Sequence, residues 1–183
     1  MTDSTPPMEP DTSEADERQL QLAVAQGDAY FAAVQHMIEN VAHGGGHREA
    51  GHYIVGYAVE EAEGMYDWRA GSLEWQEPGE ANAHVEIVVL DRADRRFVPD
   101  VKVLVTLTGP DGQEIGTREQ PLLWHPMIYH YGLNWTLPAD GAYTLKVRVE
   151  PPRFMRHDEV NGRRFTEVEE VTFEGVDIQR GQD

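Results

Sequence analysis

The chain has 183 residues, no cysteine and a formal net charge of −18 at pH 7, from 33 acidic and 15 basic residues. This charge repels nucleic acid and anionic membranes, so neither is an expected partner. The lack of cysteine excludes disulfides, thiolate metal sites and a cysteine nucleophile. No apolar run approaches the roughly 20 residues of a membrane span.

The basic residues are almost all arginine, since only Lys102 and Lys146 are lysine. An acidic, lysine-poor surface suits concentrated salt, where repulsion between like charges is screened. The composition therefore predicts a halophilic source, with an ordinary acidic protein as the alternative.

Residues 1–14 are acidic, contain three prolines and predict a disordered tail. They lack the basic start and the apolar centre of a secretory signal. The sequence as it stands predicts a cytoplasmic protein. An extracytoplasmic location is the alternative if a signal or an anchor precedes these residues in the natural protein.

The next segment, residues 15–45, predicts one amphipathic helix followed by a glycine-rich connector. From Ala15 to about Ala42, apolar residues recur at helical spacings. They form the stripe Leu20, Val24, Phe31, Val34, Ile38 and Val41. Gly27 weakens the middle of the helix, and the HGGGH run at residues 43–47 ends it. The stripe is too large to stay in water, so it must dock on the rest of the chain or on a second copy.

Residues 50–180 predict a β-domain. Five segments are rich in Val, Ile, Tyr and Thr: Tyr53–Val59, Val85–Leu90, Val101–Leu107, Tyr143–Val149 and Val168–Ile178. GPDG at 109–112 and PADG at 138–141 predict hairpin turns between strands. Strands with short connections and no intervening helices favour an all-β fold, an immunoglobulin-like antiparallel β-sandwich with an N-terminal α-helical extension.

Histidines occur at three places where a metal site is one interpretation. AHVEIVVLD at 83–91 places His84 and Glu86 on one face of a strand, opposite Val85, Ile87 and Val89. LLWHPMIYHYGLNW at 122–135 gathers the soft donors His125, Met127 and His130, and PPRFMRHDEVNGRRF at 151–165 carries His157. The alternatives are a solvated strand face, packing at a sandwich edge and an ordinary charged turn, respectively.

Taken in order, these motifs resemble the Fe2+-transport-associated metal-binding proteins, which are small periplasmic β-sandwich proteins encoded with iron permeases in bacteria. The resemblance covers roughly residues 80–175. It rests on H-x-E, a methionine before H-Y-G-x-N, D-G-x-Y-x-L, and a P-P pair before an R-H-D loop.

The resemblance implies a homodimer with a copper or iron site near the subunit interface. The ligands that it implies are His84, Glu86, Met127, His130 and His157. The methionine of the family stands further ahead of the H-Y-G histidine than Met127 does, and Leu123 occupies about that position. Two alternatives follow: Met127 reaches the site through a shortened loop, or His125 substitutes for it as a ligand.

Imidazoles and a thioether suit copper, and a carboxylate also admits Fe2+, zinc or manganese. Since no nucleophile–base pair or phosphate-binding glycine loop accompanies these residues, the sequence predicts no enzyme. It predicts a metal-binding protein for uptake or handover, with an iron permease or another metal-transport protein as a partner. The alternative is a sandwich that binds a protein or a carbohydrate through exposed tryptophans.

Two further clusters favour structural interpretations. His43, His47 and His52 lie beside three glycines, which give a chelating site no preorganisation. A flexible connector is therefore the preferred interpretation. Tyr66, Trp68 and Trp75 are predicted to be core or hairpin aromatics.

Overall fold

The computed structural model describes residues 8–182 as two antiparallel β-sheets packed face to face, with one helix against the outer side. The elements in chain order are α1 (Glu17–His36), a π-helical turn (Met37–Val41), β1 (Gly44–Ala50), β2 (Tyr53–Glu60), β3 (Met65–Arg69), β4 (Ser72–Gln76), β5 (Ala83–Asp91), β6 (Lys102–Thr108), β7 (Glu114–Gln120), β8 (Leu122–Trp124), β9 (Tyr129–Trp135), β10 (Gly141–Glu150), a 3₁₀ turn (Asn161–Arg163) and β11 (Glu169–Ile178). The predicted sandwich with an N-terminal helix is confirmed.

The strand order is β1-β2-β5-β9-β8 in one sheet and β11-β10-β6-β7 in the other, while β3 and β4 form a separate hairpin. The main core lies between the two larger sheets. Strand β5 contributes Val85, Ile87 and Val89 to it, and β6 and β10 contribute alternate valines and leucines from the facing sheet. This period of two is what the sequence pattern predicts for strands with one face in a core.

A second, smaller core lies on the outer face of the five-stranded sheet. Val34 and Met37 from the end of the helix pack there against Ala58 of β2 and Val88 and Leu90 of β5. The helix therefore docks on the sandwich, which was one of the two predicted solutions. Of the predicted stripe only Val34 is fully buried, while Leu20, Phe31 and Ile38 are partly buried and Val24 and Val41 are exposed.

Gly27 has a packing role that the sequence did not indicate. It is buried, and a Cβ added there would lie 1.7 Å from the carbonyl oxygen of Asp94. The helix can approach the loop after β5 only because this side chain is absent. Asp16 starts the helix by accepting a hydrogen bond from the Gln19 amide in a capping box.

Two segments differ from the sequence prediction, and a third agrees with it. The glycine-rich connector was predicted to end at residue 45, but Gly44–Ala50 forms the edge strand β1, which pairs with β2 in antiparallel register. PADG does not close a hairpin, because it carries the chain from β9 in one sheet to β10 in the other. GPDG does connect the paired strands β6 and β7.

The predicted disordered tail lies partly outside the described residues. Within residues 8–14, the Glu9 amide donates to Oδ1 of Asn161 at 2.8 Å, and the Thr12 hydroxyl donates to Oδ2 of Asp158 at 2.6 Å. These residues are therefore held to the loop between β10 and β11. Within residues 8–182, no helix is both long and apolar enough to cross a membrane.

Candidate metal centre

Two neighbouring strands place the candidate ligands on one face. Strand β5 carries His84 and Glu86, and it pairs with β9 so that His84 lies opposite Asn134 and Glu86 lies opposite Gly132. His130 stands two residues before Gly132 and therefore projects from the same face of β9. This is the outer face of the five-stranded sheet, on the side away from the main core.

The three side chains meet below the surface. Oε1 of Glu86 lies 3.2 Å from Nε2 of His130 and 3.9 Å from Nε2 of His84. One potential ligand atom from each residue lies within 4.8 Å of the others, and all three residues are buried. The alternative of a solvated strand face for H-x-E is thus wrong, because His84 is 0% and Glu86 only 4% exposed.

Gly132 leaves the space in which the two imidazole rings stand. A Cβ at this position would lie 2.8 Å from Nε2 of His84, 3.0 Å from Cδ1 of Leu123 and 3.1 Å from Cδ2 of His130. Leu123 on β8 therefore borders the site with an apolar side chain. Position 132 therefore requires glycine, because the side chains of His84, Leu123 and His130 leave no room for a Cβ atom.

The nitrogen atoms of the two rings are only partly satisfied. His84 Nδ1 is 2.9 Å from Oδ1 of Asn134, but among residues 8–182 its Nε2 has no hydrogen-bond partner. Nε2 of His130 is close to Oε1 of Glu86, at 3.2 Å, but neither it nor Nδ1 makes a hydrogen bond of acceptable geometry there. Buried polar atoms are normally paired, so unpaired imidazole nitrogens facing a carboxylate require an explanation.

The surroundings of the site keep it uncharged near neutral pH. Burial, followed by the charges of Glu60 and Glu63, raises the pKa of Glu86 to about 8. Burial, followed by the charges of His84 and His125, lowers the pKa of His130 to about 3. Burial also lowers the pKa of His84. Both imidazoles are therefore neutral, which is the form that binds a metal.

The helix closes the apolar side of the site. Val34, Met37 and Ile38, together with Ile128 from the turn before β9, surround a cavity that Glu86 also lines. In the described part of the chain no lysine or arginine forms an ion pair with Glu86. A buried carboxylate without a cationic side chain fits a bound metal ion or a bound proton.

Met127 and His125 lie in the turn between β8 and β9, outside the group of three. The Met127 side chain is half-exposed, and its amide donates to Nδ1 of His125 at 3.1 Å. The His125 ring centroid is 6.5 Å from that of His130. Because its Nδ1 accepts a hydrogen bond, the neutral His125 ring carries its proton on Nε2. It must break this bond or lose that proton to become a ligand.

Within one chain, His157 lies outside the group formed by His84, Glu86 and His130. It is exposed in the loop between β10 and β11, where it lines a groove with Glu14 and Leu20. The histidines near the glycine run are likewise not gathered, since His47 lies on β1 with its ring edge against Phe31. In residues 8–182, the group of His84, Glu86 and His130 is the only set of this kind.

Comparison with solved structures shows the same fold in copper-bound proteins. FetP from uropathogenic Escherichia coli strain F11, as a copper-bound variant, matches with a TM-score of 0.59 and 16% identity, covering 73% of this chain and 94% of FetP. The copper-reconstituted P19 protein from Campylobacter jejuni matches with a TM-score of 0.63 and 16% identity, covering 75% of this chain and 96% of P19. No protein-family model and no curated protein matches the sequence.

These matches confirm the predicted resemblance at the level of the fold. A further copper-bound P19 variant matches with a TM-score of 0.62 and 15% identity. In this chain the donor set itself fits a metal ion, because two neutral imidazoles with unpaired nitrogens face one carboxylate in a buried space. Such mixed nitrogen and oxygen donors suit copper, iron and zinc.

Proposed function

We propose that this protein binds copper through His84, Glu86 and His130 and holds it for uptake or handover. The observation that carries the proposal is the buried group of three with unpaired nitrogen atoms on both imidazoles. Copper is favoured over iron, zinc and manganese because it forms the most stable complexes with nitrogen and oxygen donors. The copper-bound state of the structural neighbours supports the same choice.

The test is a titration of metal-free protein with Cu2+, followed by competition with Fe2+ and Zn2+. Replacing His84 or His130 by Ala removes a direct ligand, so each should weaken binding by more than the roughly 10–100-fold effect of an outer-shell change. His43→Ala is the matched control, since this exposed histidine lies outside the group. Parent-like binding by both His84→Ala and His130→Ala would contradict the proposal.

The remaining positions of the predicted ligand set are part of the same proposal. We propose that His157 of one protomer completes the site of a second protomer, because within its own chain it stands apart, exposed, in the loop between β10 and β11. Copper affinity should then rise with protein concentration through the dimerisation range, and His157→Ala should remove that dependence. An affinity that does not depend on protein concentration would exclude the contribution of a partner.

Met127 and His125 are proposed as alternatives for one further donor from the β8–β9 turn. Met127→Ala and His125→Ala decide between them. A thioether contributes more to Cu+ than to Cu2+, so the loss for Met127→Ala should be greater when the titration is repeated with Cu+. If both variants bind both oxidation states like the parent, the turn supplies no ligand.

Handover implies a receiving protein, and we propose an iron permease or another metal-transport protein. It also favours an extracytoplasmic location, which agrees with the recovery of FetP expressed in the periplasm. We propose a binding role and no catalysis. Localisation of the tagged protein in its natural host, together with copurification of a permease, tests these points.

A second candidate function is favoured by the β3–β4 hairpin. Tyr66, Trp68, Leu73 and Trp75 are each more than half exposed, and the strand register places them on one face of the hairpin. Exposed aromatic faces of this kind bind proteins or carbohydrates. Tryptophan fluorescence during titration with oligosaccharides, compared between the parent and Trp68→Ala, tests the carbohydrate part of this candidate.

A further inference from the structure

Asn134 connects the candidate metal site to the chain segment that precedes the hairpin. It lies on β9 directly opposite His84 of β5. Its Nδ2 donates to the carbonyl oxygen of Glu63 at 2.7 Å, and its Oδ1 accepts from the Glu63 amide at 3.4 Å.

These two backbone contacts fix the orientation of the Asn134 amide group. The Glu63 carbonyl needs a donor and the Glu63 amide needs an acceptor, so only one of the two flipped states of the side chain satisfies both. In that state Oδ1 is the atom that faces Nδ1 of His84, at 2.9 Å. An amide oxygen only accepts, so Nδ1 of His84 must carry the proton.

We infer that Asn134 is a positioning residue that sets the tautomer of His84 and so makes Nε2 the metal-binding nitrogen. With its proton on Nδ1, the neutral ring presents the Nε2 lone pair towards Glu86. Nε2 is buried, lacks a hydrogen-bond partner among residues 8–182, and lies 3.9 Å from Oε1 of Glu86. The role of Nε2 as a ligand rests on the proposed metal-binding function. The tautomer itself does not, because it is a property of the metal-free protein.

The first experiment uses metal-free protein and long-range ¹H–¹⁵N NMR of the histidine rings. In the parent, His84 should carry its proton on Nδ1. Asn134→Ala should allow the other tautomer to appear, and Asn134→Asp, which keeps an acceptor, should restore the parent state. A parent spectrum with the His84 proton on Nε2 would overturn the inference, as would an unchanged tautomer in Asn134→Ala.

The matched control is Asn82→Ala. Asn82 also binds backbone on both sides of its amide, donating to the Leu137 carbonyl at 3.0 Å and accepting from the Leu137 amide at 2.8 Å. Asn82→Ala therefore measures the effect of losing two such backbone hydrogen bonds at a residue whose side chain does not hydrogen-bond to a histidine. Asn82→Ala should leave the His84 tautomer and the copper spectrum unchanged.

The second experiment measures copper binding and the Cu2+ electron paramagnetic resonance spectrum. Asn134→Ala should lower copper affinity by about 10–100-fold and alter the nitrogen hyperfine pattern, because His84 is no longer held for coordination. A parent that binds no copper would overturn the proposed function but leave the tautomer result standing. If Asn134→Ala does not fold, the parent tautomer and the Asn134→Asp spectrum decide the inference.

Discussion

A methyl group added at Gly132 is expected to damage the proposed metal site more than the fold. The new Cβ would stand 2.8 Å from Nε2 of His84, about 0.6 Å closer than the 3.4 Å at which ordinary contact begins. The same Cβ would also press on the His130 ring at 3.1 Å. Both imidazoles must move: His130 by about 0.3 Å and His84 by about 0.6 Å, and the His84 shift exceeds the roughly 0.5 Å within which a designed site has to hold its ligands.

The expected magnitude follows from these distances. Overpacking of a buried position costs about 1–3 kcal/mol of folding stability. Displacing a supported ligand weakens metal binding by about 10–100-fold. Gly132→Ala should therefore remain folded at room temperature while losing at least one order of magnitude in copper affinity.

The assay is isothermal titration of metal-free Gly132→Ala with Cu2+, beside a chemical denaturation curve. Gly44→Ala is the control, because a Cβ there meets only the carbonyl oxygen of Asp177 at 3.6 Å, which is ordinary contact. Gly44→Ala should bind copper like the parent. A folded Gly132→Ala that also binds like the parent would refute the reasoning that the ligands converge under this glycine.

Four further predictions concern the proton, the helix, the ligand type and salt. The pKa of Glu86 is raised to about 8, so at pH 7 it is mostly protonated, and copper binding should release about one proton. The release should decline as pH rises above 8 and disappear in Glu86→Gln; calorimetry in buffers of different ionisation enthalpy measures it. Gly27→Ala should destabilise the protein by about 1–3 kcal/mol in denaturation experiments, because its Cβ would overlap the Asp94 carbonyl. Leu123→Met should raise affinity for Cu+ more than for Cu2+, since a thioether then borders the rings, and equal effects on both ions would count against this placement. The thermal midpoint should rise between low and molar salt if self-repulsion of the −18 charge limits stability; a constant midpoint would leave the halophilic prediction without support.

The candidate ligands on regular strands were the predictable part of the candidate site. Strict alternation in AHVEIVVLD puts His84 and Glu86 on one face whatever the loops do, and the structure has this arrangement. His130 joins them because its strand pairs with β5, and the alternation of residues within one strand does not predict which strands pair. The grouping of His130 with His84 and Glu86 was predicted only from the resemblance to a known family, whose motifs occur in the same order.

Residues on turns and loops were harder to place. His125 and Met127 lie in the β8–β9 turn and His157 in the β10–β11 loop, and their positions depend on tertiary contacts that spacing does not encode. The glycine run at residues 44–46 also forms a strand because of tertiary contacts, namely its pairing with β2. Gly45 allows the helix residue Ile38 to approach β1, since a Cβ there would meet that side chain at 3.0 Å. Asn134 ends the H-Y-G-x-N motif, but its contact with His84 was not predicted, because a polar residue on an outer strand face usually indicates solvent.

Strand β5 is buried along its entire length, with one face in the main core and the other carrying His84 and Glu86 next to the helix. The strand register that puts the valines in the main core is therefore the same register that puts His84 and Glu86 at the candidate site. A slip of one residue would place the ligands in the main core and the valines at the site, so the donor arrangement cannot drift while the sandwich persists. It follows that folding alone builds the candidate chelate, before any ion binds. Chelating agents should strip the metal and leave the sandwich standing, unlike small zinc domains that unfold when their metal is removed.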